Sequence, residues 1–310
     1  MNIMEGFRLI IDMHAHIGDL RSPTNLHRKP VTVESLIARL DEEKIDLAAV
    51  LPWPPCPEAV TFPGLFSDYP DIVSQIRTAL RHPNRLIPFG NADPRWGGNS
   101  ANTDFSWLLE KFVEMGCKGM GEVSANIYFD DPRAVNFFKQ CGEWGLPVTI
   151  ESTGPGEGHY GFIDDVGSPH LERLLMKSPD TIIIGHGPGF WADIGDGITV
   201  EEKSGYPKGP IRKEGAVPRL LRTYPNLYAD ISAQSGYNAL TRDIEFSIKF
   251  LNEFQDRLLF GTDVCFGDKE GRTNHLRFLR ELLLRGAINR EVFEKITYRN
   301  AFKVMKRYDV

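Results

Sequence analysis

Short apolar runs alternate with amphipathic stretches along the whole chain, and this alternation constrains the fold more than any other feature. The runs fall at 9–17, 46–51, 85–90, 118–123, 147–151, 181–187, 227–231 and 258–263. Between them apolar residues recur at helical spacing: Leu36, Ile37 and Leu40; Ile72, Ile76 and Leu80; Leu108, Leu109, Phe112 and Val113; Val135, Phe138 and Cys141; Leu171, Leu174 and Leu175. Thr32 is placed to cap the first helix, with Ser35 three positions on. Further helices are expected at 217–223, 243–254, 274–285 and 290–306. Strands that alternate with helices need a parallel sheet. Eight such repeats in 310 residues predict an α/β fold: a distorted (β/α)8 TIM barrel with an extra C-terminal helix, residues 1–310 forming one domain. An open doubly wound sheet is the structural alternative. No Gly-x-Gly-x-x-Gly follows the first strand, which weakens a dinucleotide-binding reading.

The connections are read as loops where Pro and Gly gather: 19–30, the Pro-rich 52–57 and the Gly-rich 154–161. The longest, 188–215, reads as an irregular insertion over one end of the fold. Composition excludes several classes of partner. The formal net charge is −6 and no basic block occurs, so neither nucleic acid nor an anionic membrane is favoured. The stretch 1–7 carries Glu5 and no long apolar run, so it does not read as a secretory signal. No run of about 18 apolar residues predicts a membrane span. Cys56, Cys117, Cys141 and Cys265 are far apart with no Cys-x-x-Cys pair. They read as reduced thiols of a cytoplasmic enzyme.

The chemistry gathers at strand ends. The first run closes as Ile11-Asp12-Met13-His14-Ala15-His16. Side chains alternate along a strand, so His14 and His16 point the same way and make half of a tetrahedral metal site. Later runs end in Glu122, Glu151, His186 and Asp263. In a barrel the C-terminal strand ends meet at one mouth, where catalytic groups sit. By parity, His14 and His16 share a face with Asp12, His186 with Ile182 and Ile184, and Asp263 with Leu259 and Gly261. Each ligand then continues an inward-facing layer.

The ordered set Ile11-Asp12-Met13-His14-Ala15-His16, Gly119-Met120-Gly121-Glu122, Ile184-Gly185-His186-Gly187, Leu259-Phe260-Gly261-Thr262-Asp263 and Asn300-Ala301 resembles the amidohydrolase superfamily, and within it the amidohydrolase-related (amidohydrolase 2) metal-dependent hydrolases. The resemblance implies a divalent metal, zinc first and manganese second, as one or two ions. His14, His16 and Asp263 would hold it. His186 would bind it or hydrogen-bond the attacking water, and Asp263 would double as proton acceptor. A zinc-bound water has a pKa of about 7 rather than about 15.7, and a neighbouring carboxylate can take its remaining proton. Two positions qualify the match. The fifth strand usually ends in a His ligand, and here Glu151 stands there; it ligates itself, or His159 in the following loop reaches in, or His159 is a solvated loop residue. Glu122 resembles the strand-four Glu of TatD-like deoxyribonucleases; if it ligates, a second ion can be held, and otherwise it pairs with a strand-end Arg or Lys.

Trp53, Arg95, Trp96, Tyr160, Trp191 and Tyr237 are candidates for the pocket, Arg95 for a substrate carboxylate or phosphate. Asp230 is expected to hydrogen-bond a ligand from behind. His27, His82, His170 and His275 are assigned no function. The leading function is hydrolysis of an ester, amide, lactone or related bond of a small molecule. The runner-up is non-oxidative decarboxylation of a small unsaturated or aromatic acid, and the third is a ligand-binding barrel without catalysis. Association into a homo-oligomer is left open.

Overall fold

The computed structural model describes residues 9–66 and 71–305. The expectation for 1–7 and the last residue of the expected helix 290–306 lie outside the described residues. Strands β1 (Ile11–Ala15), β2 (Leu47–Val50) and β3 (Leu86–Pro88) form one parallel ladder. A second parallel ladder runs β4 (Met120–Val123), β5 (Val148–Thr153), β7 (Ile183–His186), β8 (Leu227–Asp230), β9 (Leu258–Leu259). A two-residue strand, β6 (Phe162–Ile163), hangs on β5 outside this order; the sequence reading did not foresee it. Backbone hydrogen bonds join the two ladders at both ends. Gly121 N donates to Gly90 O at 2.8 Å, beside a parallel bridge between Gly90 and Met120. At the other seam Ala15 bridges Val264, Met13 N donates to Phe260 O at 2.9 Å and Asp263 N donates to His14 O at 2.8 Å. The strands therefore close into the eight-stranded ring that the βα alternation predicts.

Two apolar clusters fill the two layers. The larger gathers the inner faces of the helices against the outer faces of the strands, for example Leu36, Phe112, Phe138, Leu174 and Leu220 against Val148, Ile150 and Ile183. The smaller takes Ile11, Met13, Ala49, Ile87, Ile184, Tyr228 and Leu259 from the strands and Ala301, Val304 and Met305 from the last helix. This is the barrel interior, plugged at one end by the helix Asn300–Val304, which continues from Arg290–Glu294 through a π-helical turn, Lys295–Arg299. Asn300 fastens the plug: its Nδ2 donates to Gln255 O at 2.7 Å and to Leu258 O at 2.8 Å.

Parity holds where the ladder is regular. Ile184 is interior and His186 follows it on β7; Asp263 lies beyond β9, at φ +51°, and reaches the same mouth by a turn of the backbone rather than by parity. On β1 it needs correction. Ile11 and Met13 are interior, while Ile10 and Ala15 belong to the outer cluster, and the register shifts between Asp12 and Ala15. Asp12 is therefore not part of the site. Its carboxylate accepts from Thr262 N and Thr262 Oγ1 and buckles β1 to the segment that follows β9. A second shift lies on β4 between Met120 and Val123, around Glu122.

The one cap read from sequence is present: Thr32 and Ser35 form a capping box at Val33–Glu43. Asp243, not singled out as a cap beforehand, caps Ile244–Glu253. Two connections differ from expectation. The insertion 188–215 contains helices Pro188–Ala192 and Val200–Lys203. It is pinned by a fully buried Lys203, whose Nζ donates to Asp193 at 2.6 Å and to Ser168 Oγ at 3.1 Å. The segment after β8 forms a helix, Ala233–Thr241, that the periodicity did not reveal. Asn300→Ala should remove the donor to one buried and one half-buried carbonyl and cost about 1–3 kcal/mol. A lower midpoint of urea unfolding at unchanged metal content checks it.

Candidate metal centre

Three histidines converge at the C-terminal ends of the strands, and their outer ring nitrogens are already committed. His16 Nδ1 lies 2.8 Å from Leu51 O, which can only accept, so that nitrogen carries the proton. His14 Nδ1 lies 2.5 Å and His186 Nδ1 3.0 Å from the same oxygen of Asp230, Oδ2. Ser232 Oγ donates to that oxygen at 2.8 Å, and Ser232 N to Oδ1. With Nδ1 protonated on each ring, every Nε2 presents a lone pair to the barrel mouth.

Those lone pairs face carboxylates and one another. His14 Nε2 is 3.1 Å from His16 Nε2, 3.5 Å from Glu122 Oε2 and 3.7 Å from Asp263 Oδ1. His16 Nε2 is 3.4 Å from Glu122 Oε2 and 3.2 Å from Asp263 Oδ1. His186 Nε2 is 3.6 Å from Glu151 Oε2 and 3.9 Å from Asp263 Oδ2. All six predicted ligand residues, His14, His16, Glu122, Glu151, His186 and Asp263, are thus brought together. Lone pairs at these separations repel unless a cation stands among them. Without a metal, protons take that role. Burial opposes a charged His16, yet hydrogen bonds to Asp263 and Glu122 raise it to about 9. Burial also works against an ionised Glu122, but bonds from His14 and His16 hold it well below the usual carboxylate range. Glu151 goes the other way: burial, then the charges of Glu122 and Asp263, push its carboxyl well up. The donor set fits a divalent ion of the zinc or manganese kind, which takes imidazole nitrogen and carboxylate oxygen at about 2.0–2.2 Å.

Glu151 occupies a seat shaped for it. Gly187 has φ +89°, and a Cβ there would stand 2.6 Å from Glu151 Oε2; a Cβ on Gly161 would stand 2.9 Å from Glu151 Cγ. Glu122, Glu151 and His186 offer ligand atoms within 4.8 Å of one another, as do His14, His16 and Glu122. Glu122 belongs to both triads.

The softer candidates divide. A cavity of about 200 Å³ opens on Glu151, His186 and Asp263 and is lined also by His159, Tyr160 and Tyr206. His159 lines this cavity but is absent from every ligand group found among the described residues. Trp53 stands between the cluster and a second cavity of about 360 Å³. Its ring is 5.5 Å from that of His16 and 5.8 Å from that of Tyr160, and Ile17, Leu20 and Trp96 share the cavity wall. Three candidates are corrected. Arg95 is spent on Asp93 and Glu58, with bonds of 2.7–2.9 Å to both, and is not free for a substrate. Trp191 is buried with Nε1 donating to Asp230 O, so it supports β8 from behind. Tyr237 lies on the unforeseen helix and packs on His275 and Phe278. Sequence reasoning missed Tyr206, from the insertion, and Cys265, whose Sγ lies 3.2 Å from Asp263 Oδ1.

A closed parallel barrel with a His and carboxylate cluster at its C-terminal mouth defines the architectural class. The sequence model of the amidohydrolase family, amidohydrolase 2 type, matches residues 60–307, and the chain belongs to that family. The matched stretch begins after His14 and His16. Among solved structures the fold is similar to a probable 2-pyrone-4,6-dicarboxylic acid hydrolase of Acinetobacter baumannii, at 13% identity and TM-score 0.56 over 96% of this chain and 99% of that one. It is also similar to 5-carboxyvanillate decarboxylase of Sphingomonas paucimobilis, at 15% identity and TM-score 0.58 over 96% and 99%. A third is a dihydroxybenzoic acid decarboxylase of Polaromonas sp. JS666 with bound manganese and 2-nitroresorcinol, at 16% identity and TM-score 0.55 over 98% of each chain. No curated protein matches the sequence.

Asp230→Asn removes the charge behind His14 and His186 but no ligand atom. It should weaken metal affinity about 10–100-fold, read by chelator competition. His275, silent in the sequence reading, is 3% exposed, and burial lowers its pKa to about 4 against the opposing pull of Asp230. The unfolded chain therefore binds this proton more readily between about 4 and the ordinary 6.5. The stability due to neutral His275 is full above 6.5 and is lost as pH falls through that window. His275→Phe should flatten the pH dependence of the unfolding free energy between pH 6.5 and 4, measured by denaturation at each pH.

Proposed function

We propose that the chain is a metal-dependent hydrolase of small molecules, acting on an ester, amide, lactone or related bond, with residues 1–310 as one catalytic domain. The observation that carries this reading is the place of Glu122 in two overlapping ligand triads. A carboxylate so placed suits either one ion or a pair, and paired ions are a hydrolytic arrangement. His14, His16, Glu122, Glu151, His186 and Asp263 would hold the metal, zinc before manganese. When bound, such an ion supplies Lewis acidity and an ionisable water near neutral pH.

The remaining roles belong to side chains. Asp263 stands at the edge of the 200 Å³ cavity with one face open, placed to accept a proton from the attacking water. His186, held by Asp230 through Nδ1, faces Glu151 and Asp263 across the same space with one free nitrogen, which either ligates the ion or orients that water. Tyr160 and Tyr206 line the space where a small substrate would lie. Trp53 borders the apolar 360 Å³ cavity, which suits a substrate with an apolar part.

Decarboxylation of a small unsaturated or aromatic acid is the second reading, favoured by the decarboxylases among the structurally similar proteins. The usual strand-five His of such enzymes is Glu151 here, which favours hydrolysis. The four unpaired cysteines suit a reducing compartment such as the cytoplasm. No helix among the described residues is long and apolar enough to cross a membrane.

Elemental analysis should find about one or two divalent ions per chain. His14→Ala should lose them together with activity; full metal content surviving that change contradicts the reading. With candidate esters, lactones and carboxylic acids in ¹⁸O-labelled water, label in the organic product supports hydrolysis, whereas CO₂ release with no label in the organic product replaces it with the second reading.

A further inference from the structure

The seam that closes the barrel pairs two short sequences, His14-Ala15-His16 and Asp263-Val264-Cys265. Ala15 bridges Val264 in parallel register, and both are buried in the outer apolar cluster. Side chains alternate about such a bridge, so the residues flanking Ala15 and those flanking Val264 face the mouth together. The His pair does so. Asp263, at φ +51° in the left-handed region, and Cys265 do so from the opposite edge. Cys265 Sγ lies 3.2 Å from Asp263 Oδ1, the oxygen that is 3.2 Å from His16 Nε2. His16, Asp263 and Cys265 offer ligand atoms within 4.8 Å of one another. Ligands sharing one tetrahedral ion, at about 2.0–2.3 Å each, stand roughly 3.5 Å apart, so this trio needs only a small adjustment to share one.

We propose that Cys265 is an additional metal ligand of this chain, and that its sulfur biases the site toward zinc and cobalt over manganese. The inference rests on the reading of this centre as a metal site. The seam supplies imidazole nitrogens from one edge and a carboxylate oxygen with a sulfur from the other. Thiolate is a soft donor that favours zinc, while manganese is served by carboxylate, carbonyl and water oxygens. A sulfur beside Asp263 therefore separates two metals that the His and carboxylate set alone would both accept. It also leaves Glu151, farther round the mouth beside His186, free of the first ion and available to a second or to substrate.

The test uses the full-length protein stripped of metal and reloaded with cobalt(II). The expected result is a near-ultraviolet sulfur-to-cobalt charge-transfer band in the wild type that disappears in Cys265→Ser with cobalt still bound. In chelator competition, Cys265→Ser should lose about tenfold or more in zinc affinity and less than about threefold for manganese. Stoichiometric cobalt without the band overturns the proposal and leaves the metal reading standing. Equal loss of zinc and manganese affinity also overturns it, because a purely structural cysteine would act that way. No cobalt binding at all overturns both readings. Should Cys265→Ser fail to fold, the wild-type spectrum and the Cys265→Ala variant decide the question.

Discussion

One carboxylate oxygen organises the mouth of this barrel. Asp230 Oδ2 accepts from Nδ1 of both His14 and His186, two rings brought in by strands far apart in sequence. By taking their protons on one side it turns the lone pairs of both Nε2 atoms toward the same space. Leu51 O does the same for His16. Three imidazoles in one tautomer, surrounded by Glu122, Glu151 and Asp263, form a buried set with an excess of acceptors. Such a set is costly unless protons or a metal ion complete it. Asp230 is in turn held by Ser232. The cluster is thus oriented before anything binds, which is what a metal site needs to be selective.

The barrel departs from regular pairing at two of the places where it presents this cluster. Register shifts lie on β1 around His14 and on β4 around Glu122. On β5, β7 and β8, which pair regularly with one another, Glu151, His186 and Asp230 simply continue the interior face. Local irregularity therefore coincides with the cluster residues on two strands, and long-range bonds fasten the ring around them. Asp12 ties β1 to Thr262, the last helix plugs the far end through Asn300, and buried Lys203 pins the insertion beside the mouth.

Much of this was legible in the sequence because it depends on short-range periodicity. Apolar runs ending in His186 or Asp263 announce strands with a polar tip, and the helical stripes between them give the parallel barrel. Asp230 could be placed behind the ligands from parity alone. What stayed hidden depends on pairing between distant segments. Asp12 was assigned the face of the His pair because parity cannot see a shift of register. Arg95 looked available because its partner Glu58 lies in a different loop. Tyr237 was misplaced because the helix Ala233–Thr241 is built from Ala, Gln, Ser, Gly and Asn, with little apolar contrast to mark it. Cys265 drew no attention because its meaning comes from the bridge between Ala15 and Val264, residues at opposite ends of the chain. Glu122 was legible as a carboxylate at a strand end, and the family resemblance added its metal-binding role.

Membership of the amidohydrolase family and the geometry of the mouth agree on where chemistry takes place, while the structurally similar proteins include both hydrolases and decarboxylases. The deciding region is the wall formed by Glu122, Glu151 and Cys265, opposite the fixed His pair. The central claim is that the Nε2 atoms of His14 and His16 share a divalent cation with the mouth carboxylates. Anomalous diffraction from crystals of the zinc-loaded protein, collected on both sides of the zinc absorption edge, tests it most directly. The account predicts a peak within bonding distance of His14 Nε2, His16 Nε2 and Asp263. A zinc-loaded crystal whose only anomalous peaks lie away from these atoms would contradict it.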